Sequence, residues 1–213
     1  MSLSQRLGDY PGRGLLVHVD RRGVVGWIYF VTGRSGASRQ RMVQQAGNAL
    51  FIRPSVGNPT DDLRHYACAR SFDDRLVVGN GDHVDALASG LQAGETLAAA
   101  ICSIHPEPDP PIYTPRIAVL LNEDITLLSV RRDGNDVART CVPVDRQPAT
   151  STLIITYAGT REQPEGKAPV QTFADDRTFD EVIDDLWGSL APELRVLAVA
   201  GVGATTSNIT VRQ

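Results

Sequence analysis

One short stretch of this chain concentrates groups that bind anions. Gly33-Arg34-Ser35-Gly36-Ala37-Ser38-Arg39-Gln40-Arg41 carries three guanidinium groups, two hydroxyls and two glycines, directly after an apolar run. Guanidinium forks match phosphate oxygens in a bidentate way, and serine hydroxyls and glycine N–H groups add donors. The stretch is read as an anion site with Arg34, Ser35, Ser38, Arg39 and Arg41 as ligands, or else as a solvated basic loop. Arg13, in Tyr10-Pro11-Gly12-Arg13-Gly14, stands just before another apolar run. If the two runs pair as a hairpin, Arg13 and Arg34 come toward one ligand. The alternative for Arg13 is an ion pair with a surface carboxylate.

Two further constellations could carry chemistry. Val78-Gly79-Asn80-Gly81-Asp82-His83 reads as a polar turn at a helix start. Free N–H groups there attract anions, and Asn80 could bond a base or an amide. The simpler reading is a strand-to-helix turn in which Asp82 caps the helix. Glu107 and Asp109 sit on a loop with Pro106, Pro108, Pro110 and Pro111, followed by Tyr113-Thr114-Pro115-Arg116. A carboxylate on so restricted a backbone suits general acid or base work, and a solvent-exposed acidic turn is the alternative. Ser2 suggests an N-terminal nucleophile, but the segment after it reads as too flexible to position one. The histidines (His18, His65, His83, His105) are scattered, and no HExxH or CxxC spacing occurs. No metal site and no cofactor are expected. Walker A and GxGxxG patterns are also absent.

The elements that must position these groups read mostly as strands. Gly14–Asp20 and Val24–Thr32 are apolar and β-branched around Asp20-Arg21-Arg22-Gly23, the pattern of a β-hairpin. Further strands are expected at 49–53, 75–78, 116–121, 125–131, 137–142, 152–158, 194–200 and 208–211, with another over 64–70. Val84, Leu87, Ala88 and Leu91, then Leu97, Ala98, Ile101 and Cys102, show helical spacing within 83–104, and Gly90 and Gly94 split that stretch in two. Phe179, Val182, Ile183, Leu186 and Trp187 mark an amphipathic helix. Residues 159–169 read as a mobile loop. Helices grouped between runs of strands predict an α+β fold with mostly antiparallel sheet, in one domain over residues 1–213.

Composition narrows the function classes. The 213 residues are 42% hydrophobic and 22% charged, with a net charge of −4. That argues against nucleic-acid binding through a broadly basic surface, and aromatics interleaved for base stacking are also lacking. No apolar run is long enough for a membrane span, and the polar stretch Met1–Tyr10 has no apolar core of a secretory signal. Three cysteines (Cys68, Cys102, Cys141) form no framework, so three buried thiols in a reducing compartment, the cytoplasm, are expected. The sequence leaves room for a homo-oligomer.

Taken together and in order, four segments resemble the motifs of the archaeal-type IMP cyclohydrolases and their bacterial relatives. They are Tyr10-Pro11-Gly12-Arg13-Gly14, the Gly33–Arg41 stretch, Asn80-Gly81-Asp82 with Asp85, and Glu107-Pro108-Asp109 with Tyr113-Thr114-Pro115-Arg116. The likeness extends more faintly to Tyr157-Ala158-Gly159 and Trp187-Gly188-Ser189-Leu190. It implies closure of 5-formamidoimidazole-4-carboxamide ribonucleotide to IMP without cofactor or metal. It also implies a four-layer αββα sandwich like that of N-terminal-nucleophile hydrolases, without their self-processing. On this resemblance Arg34, Arg116 and Tyr66 are the donors to the formyl oxygen, and Glu107 or Asp109 takes or relays the amide proton. Tyr66 matches a tyrosine of the archaeal members in position, although a half-buried strand tyrosine would look the same. Arg13, Arg39 and Arg41 would hold the 5′-phosphate, with Ser35, Ser38, Asn80, Gly81, Asp82 and Thr114 completing the substrate contacts. Gln40 and Val84 replace the Asn and Thr usual in the family. These departures keep open a related purine-like ribonucleotide as substrate, or a nucleotide sensor without turnover.

Overall fold

The computed structural model describes residues 1–55 and 65–213. From the N-terminus, α1 (Leu3–Leu7) leads into the hairpin of β1 (Arg13–Val19) and β2 (Val25–Thr32). Then come α2 (Gly36–Arg39), β3 (Arg41–Ala46), β4 (Ala49–Pro54), β5 (Tyr66–Phe72) and β6 (Arg75–Gly79). Helices α3 (His83–Gln92) and α4 (Leu97–Cys102) interrupt the strands. β7 (Arg116–Leu121), β8 (Ile125–Asp133), β9 (Asp136–Pro143) and β10 (Thr150–Ile155) follow. β11 (Ala158–Gly159), β12 (Pro164–Glu165) and β13 (Val170–Ala174) precede α5 (Phe179–Ser189), β14 (Arg195–Val202) and β15 (Thr210–Arg212). A six-stranded sheet runs β13-β10-β1-β2-β14-β15, a seven-stranded sheet is β3 to β9 in chain order, and β11 and β12 form a small two-stranded ribbon. The fold mixes helices with mostly antiparallel sheet, as expected.

The strand sequences explain the burial. Every residue of β1 and β2 is buried, because these central strands are covered on both faces. Side chains alternate across a strand. Trp27, Tyr29 and Val31 therefore enter a cluster with Leu50, Ile52, Cys68, Ile117 and Val119 of the other sheet. Ile28 and Phe30 point the opposite way, onto Leu3 and Leu7 of α1 and Val182, Ile183 and Leu186 of α5. A third cluster joins Val84, Leu87, Ala88 and Leu91 of α3 to Val77, Ala118 and Leu120. Each such side chain contributes about 1.5–3 kcal/mol when fully buried.

Some local expectations need correction. β3 and β13 are strands that the sequence did not announce. Both are edge strands with mostly polar or half-exposed residues, so they lack the apolar alternation of a covered strand. The Gly33–Arg41 stretch contains the single turn α2, held by reciprocal bonds between Ser35 and Ser38. Asp82 occupies the N-cap position of α3 but makes no side-chain cap bond. Its carboxylate turns to Arg116 instead. Only Cys68 is buried, while Cys102 and Cys141 are exposed. Residues 159–169 are not wholly irregular, since Ala158–Gly159 pairs with Pro164–Glu165. The strand expected over 64–70 lies at Tyr66–Phe72, and Arg64 falls outside the described residues.

Candidate active site at the strand ends

Arg13, Arg41, Tyr66 and Arg116 open β1, β3, β5 and β7, while Thr32 and Gly79 close β2 and β6. Antiparallel pairing sets the start of one strand beside the end of its neighbour. These residues, dispersed in sequence, thus gather at one end of the two sheets. A cavity of about 160 Å³ there is walled by Tyr10, Arg13, Thr32, Ser38, Arg41, Glu107, Asp109, Thr114 and Tyr157. A more open hollow of about 420 Å³ shares the Tyr10 and Ser38 walls and adds Arg34 and Ser35. A third cavity, about 360 Å³, borders Asp82, His83, His105 and Arg116. Arg39, Tyr66, Asn80 and Gly81 line none of the three.

Glu107 is the hub. The backbone N–H of Glu107 donates to Thr114 O at 3.0 Å, which turns the carboxylate inward until the residue is only 3% exposed. Glu107 Oε1 lies 2.7 Å from Arg13 Nη1 and 2.9 Å from Arg116 Nη1. Arg13 Nη1 also donates to Asn80 O at 2.6 Å, and Arg116 Nη2 reaches Asp82 Oδ1 at 2.6 Å. Burial works against the charged form of Arg13, but the Glu107 carboxylate, with Tyr66 and Tyr29, holds the guanidinium pKa well above its ordinary value. Gly81 is required for this packing, because a Cβ there would collide with Arg116 Nη1.

Several residues expected to touch substrate have partners within the protein. Arg13 holds Glu107 and Asn80 O through Nη1 while lining the cavity. It does not meet Arg34, whose Nη1 donates to Arg161 O at 2.8 Å while its guanidinium lies over the Tyr10 ring. Asn80 is fully buried, with its side-chain amide donating to Pro115 O and its oxygen accepting from Ile117 N, both at 2.8 Å. Its task is to join β6 to β7. The Tyr66 hydroxyl lies 2.7 Å from that of Tyr29, under the Arg13 charge. Ser35 and Ser38 bond each other across the α2 turn, and Ser38 still faces both cavities. Arg39 Nη1 donates to Glu193 O at 3.1 Å. Ser2 caps α1 with Gln5.

Three side chains of the site had not been singled out for chemistry. Tyr157 and Tyr10 stack with centroids 5.5 Å apart. The Tyr157 hydroxyl lies 2.6 Å from Thr114 Oγ1. Burial raises its pKa above the ordinary tyrosine value. His83 donates from Nε2 to Ile117 O at 3.1 Å, which leaves buried Nδ1 as a bare acceptor. Burial, then the Arg116 and Arg13 cations, push its pKa down to about 3, against the Ile117 carbonyl, so His83 is neutral. The signals for these residues were faint: a lone tyrosine in each of two motif segments, and a histidine that reads as part of a helix start.

A separate cluster of His18, Ser151 and Asp175 has the residue types of a hydrolase triad but not its order. Ser151 Oγ donates to Asp175 at 2.8 Å and stands between it and His18 Nδ1. His18 and Ser151 are fully buried, so the cluster ties β1 to β10 and the approach to α5. Among the described residues no group of three or more His, Cys, Asp or Glu is placed to hold a metal ion, and no helix is long and apolar enough to cross a membrane.

Comparison with known proteins gives the family. A family model described as IMP cyclohydrolase-like protein matches residues 10–207. The chain is 33% identical over 162 residues to the IMP cyclohydrolase of Natronomonas pharaonis, covering 73% of this chain and 76% of the relative. It is 27% identical over 164 residues to the IMP cyclohydrolase of Methanothrix thermoacetophila, covering 73% and 77%. It is 28% identical over 154 residues to that of Haloquadratum walsbyi, covering 70% and 71%.

Proposed function

The chain belongs to the IMP cyclohydrolase-like protein family, and from that premise we propose that it is an enzyme that closes 5-formamidoimidazole-4-carboxamide ribonucleotide to IMP with loss of water. The observation that carries the reading is a charged cavity beneath a cationic rim. Arg41 walls that cavity and Arg34 walls the hollow beside it, with Arg39 on the same α2 turn, and none of the three has a carboxylate partner among the described residues. Guanidiniums without a counter-carboxylate in a chain of net charge −4 suit a 5′-phosphate. The imidazole with its two substituents would occupy the cavity below.

The reaction is intramolecular, so holding the carboxamide nitrogen against the formyl carbon supplies much of the rate. Charge develops on the formyl oxygen. Arg13 and Arg116 are cations already oriented by Glu107, with the Tyr66–Tyr29 hydroxyl pair beside Arg13, and such preorganised groups stabilise an oxyanion. In this assignment Glu107 positions the two arginines, and Asp109, on the cavity wall, receives the proton. Asn80, Gly81 and Asp82 act as scaffold for Arg116, and Ser35 and Ser38 shape the rim. The three apolar clusters support a four-layer αββα arrangement within one domain. A purine ribonucleotide in the cytoplasm would be the partner, with no role for nucleic acid or membrane.

The departures Gln40 and Val84 do not argue for another substrate. Gln40 is exposed and lines neither cavity at the mouth. Val84 packs in the cluster beneath α3. The test is turnover of the formamido ribonucleotide, followed as IMP absorbance. IMP binding without IMP formation would favour a sensor.

A further inference from the structure

Asp109, Thr114 and Tyr157 form a second polar chain on the cavity wall, separate from the arginine network. Thr114 Oγ1 donates its one proton to Asp109 Oδ2. Tyr157 Oη lies 2.6 Å from the same Oγ1. With the threonine proton committed to a carboxylate, the phenol must be the donor of that contact. The order of donation is therefore fixed as Tyr157 to Thr114 to Asp109, and the phenol oxygen keeps acceptor capacity for a group in the cavity.

Each member is held in place. Thr114 N donates to Asp109 Oδ1 at 2.7 Å, and Ile112 N and Tyr113 N donate to Asp109 O, both at 3.2 Å. Thr114 is fully buried. Tyr157 is stacked on Tyr10 and runs past Gly12, whose φ of +71° and lack of a side chain leave room for the ring. A threonine hydroxyl between a tyrosine and a carboxylate is more than packing requires, since valine would fill the same space without needing partners.

We propose that this chain is a proton relay whose cavity end, Tyr157, is a further catalytic residue of the ring closure. The proposal rests on the substrate reading above. As the carboxamide nitrogen bonds to the formyl carbon, the C=O π pair moves onto oxygen. The nitrogen's proton passes to Tyr157 Oη, the phenol proton to Thr114 and the threonine proton to Asp109. The new C–N bond places nitrogen and oxygen on one carbon, so both lie within reach of the same phenol. The reverse shift returns the proton from Asp109 to that oxygen and forms a carbinolamine hydroxyl. Loss of this hydroxyl, together with the proton of the former formamido nitrogen, releases water and leaves IMP.

The experiment measures turnover of the formamido ribonucleotide, IMP affinity and solvent isotope effects for the parent, Tyr157→Phe, Asp109→Asn, their double variant, Thr114→Val and Thr114→Ser. The relay predicts that Tyr157→Phe and Asp109→Asn each lower kcat by about 10²–10⁴-fold, the usual share of general acid–base catalysis. IMP affinity changes little, and the double variant is no slower than the worse single one. Thr114→Ser, which keeps a hydroxyl, turns over faster than Thr114→Val. The parent's proton inventory is curved, and that of Tyr157→Phe is not. If Tyr157→Phe turns over like the parent, or if the two single losses multiply in the double variant, the relay is wrong while the substrate reading stands. A parent that forms no IMP overturns both.

Discussion

Replacing Glu107 by Gln removes a negative charge from between two buried guanidiniums. One oxygen of Glu107 lies 2.7 Å from Arg13 and 2.9 Å from Arg116, with all three side chains one-tenth exposed or less. Glutamine keeps an oxygen acceptor, but the two cations then face each other with Asp82, on Arg116, as the one counter-charge left among the described residues. Breaking one side of a buried ion pair costs about 3–5 kcal/mol. The retained acceptor places this variant at the lower end, about 3 kcal/mol. In a domain of this size each kcal/mol shifts the unfolding midpoint by about 2–4 °C, so Tm falls by about 6–12 °C. Asp109→Asn is the comparison. Asp109 is partly exposed and bonds only Thr114 through its side chain, so its loss is about 1 kcal/mol. Thermal unfolding followed by circular dichroism measures both. At a temperature where Glu107→Gln remains folded, turnover falls by about 10²–10³-fold, the usual effect of disturbing a preorganised electrostatic group. A Glu107→Gln protein that melts with its parent would refute the hub assignment.

Other perturbations test other parts of the account. Arg39→Ala and Arg41→Ala each weaken IMP binding in calorimetry by about 1–3 kcal/mol, with the fold intact by circular dichroism; unchanged affinity would take the rim out of the site. His83 is held at a pKa of about 3, below the usual imidazole value. Between about pH 6.5 and that folded value the unfolded chain binds a proton that the folded protein refuses. The stability from neutral His83 is therefore complete above the unfolded pKa and is lost toward acid, by up to about 1.4 kcal/mol per pH unit. His83→Gln flattens that slope in urea unfolding. Parallel slopes for parent and variant would mean that the imidazole is not held neutral. Exhaustive chelation leaves turnover unchanged, whereas loss of activity restored by one divalent ion would show a metal requirement.

The legibility of the chain followed burial. β1, β2 and β7 are buried along their whole length and read at once as apolar runs. β3 and β13, at sheet edges with exposed side chains, carry no such signal. Alternation marks a strand only where one face is covered. The site was legible as residue types but not as partners. Arg13 and Arg41 stand out as cations, yet nothing local shows that Glu107, from a distant proline loop, meets Arg13 and orients it. Asn80 looked like a ligand because its amide is versatile, and that versatility serves Pro115 and Ile117 instead. Tyr157 and His83 could not be assigned roles because their partners, Thr114 and Ile117, arrive through tertiary pairing.

The central claim concerns a bond-forming step, so the most direct measurement is a single-turnover reaction with protein in excess over 5-formamidoimidazole-4-carboxamide ribonucleotide. IMP is followed by absorbance, and its affinity for the same preparation by calorimetry. The account predicts IMP formation far faster than in buffer alone, and loss of that acceleration in the folded Glu107→Gln protein. A parent preparation that binds IMP tightly yet forms none from the precursor would contradict it.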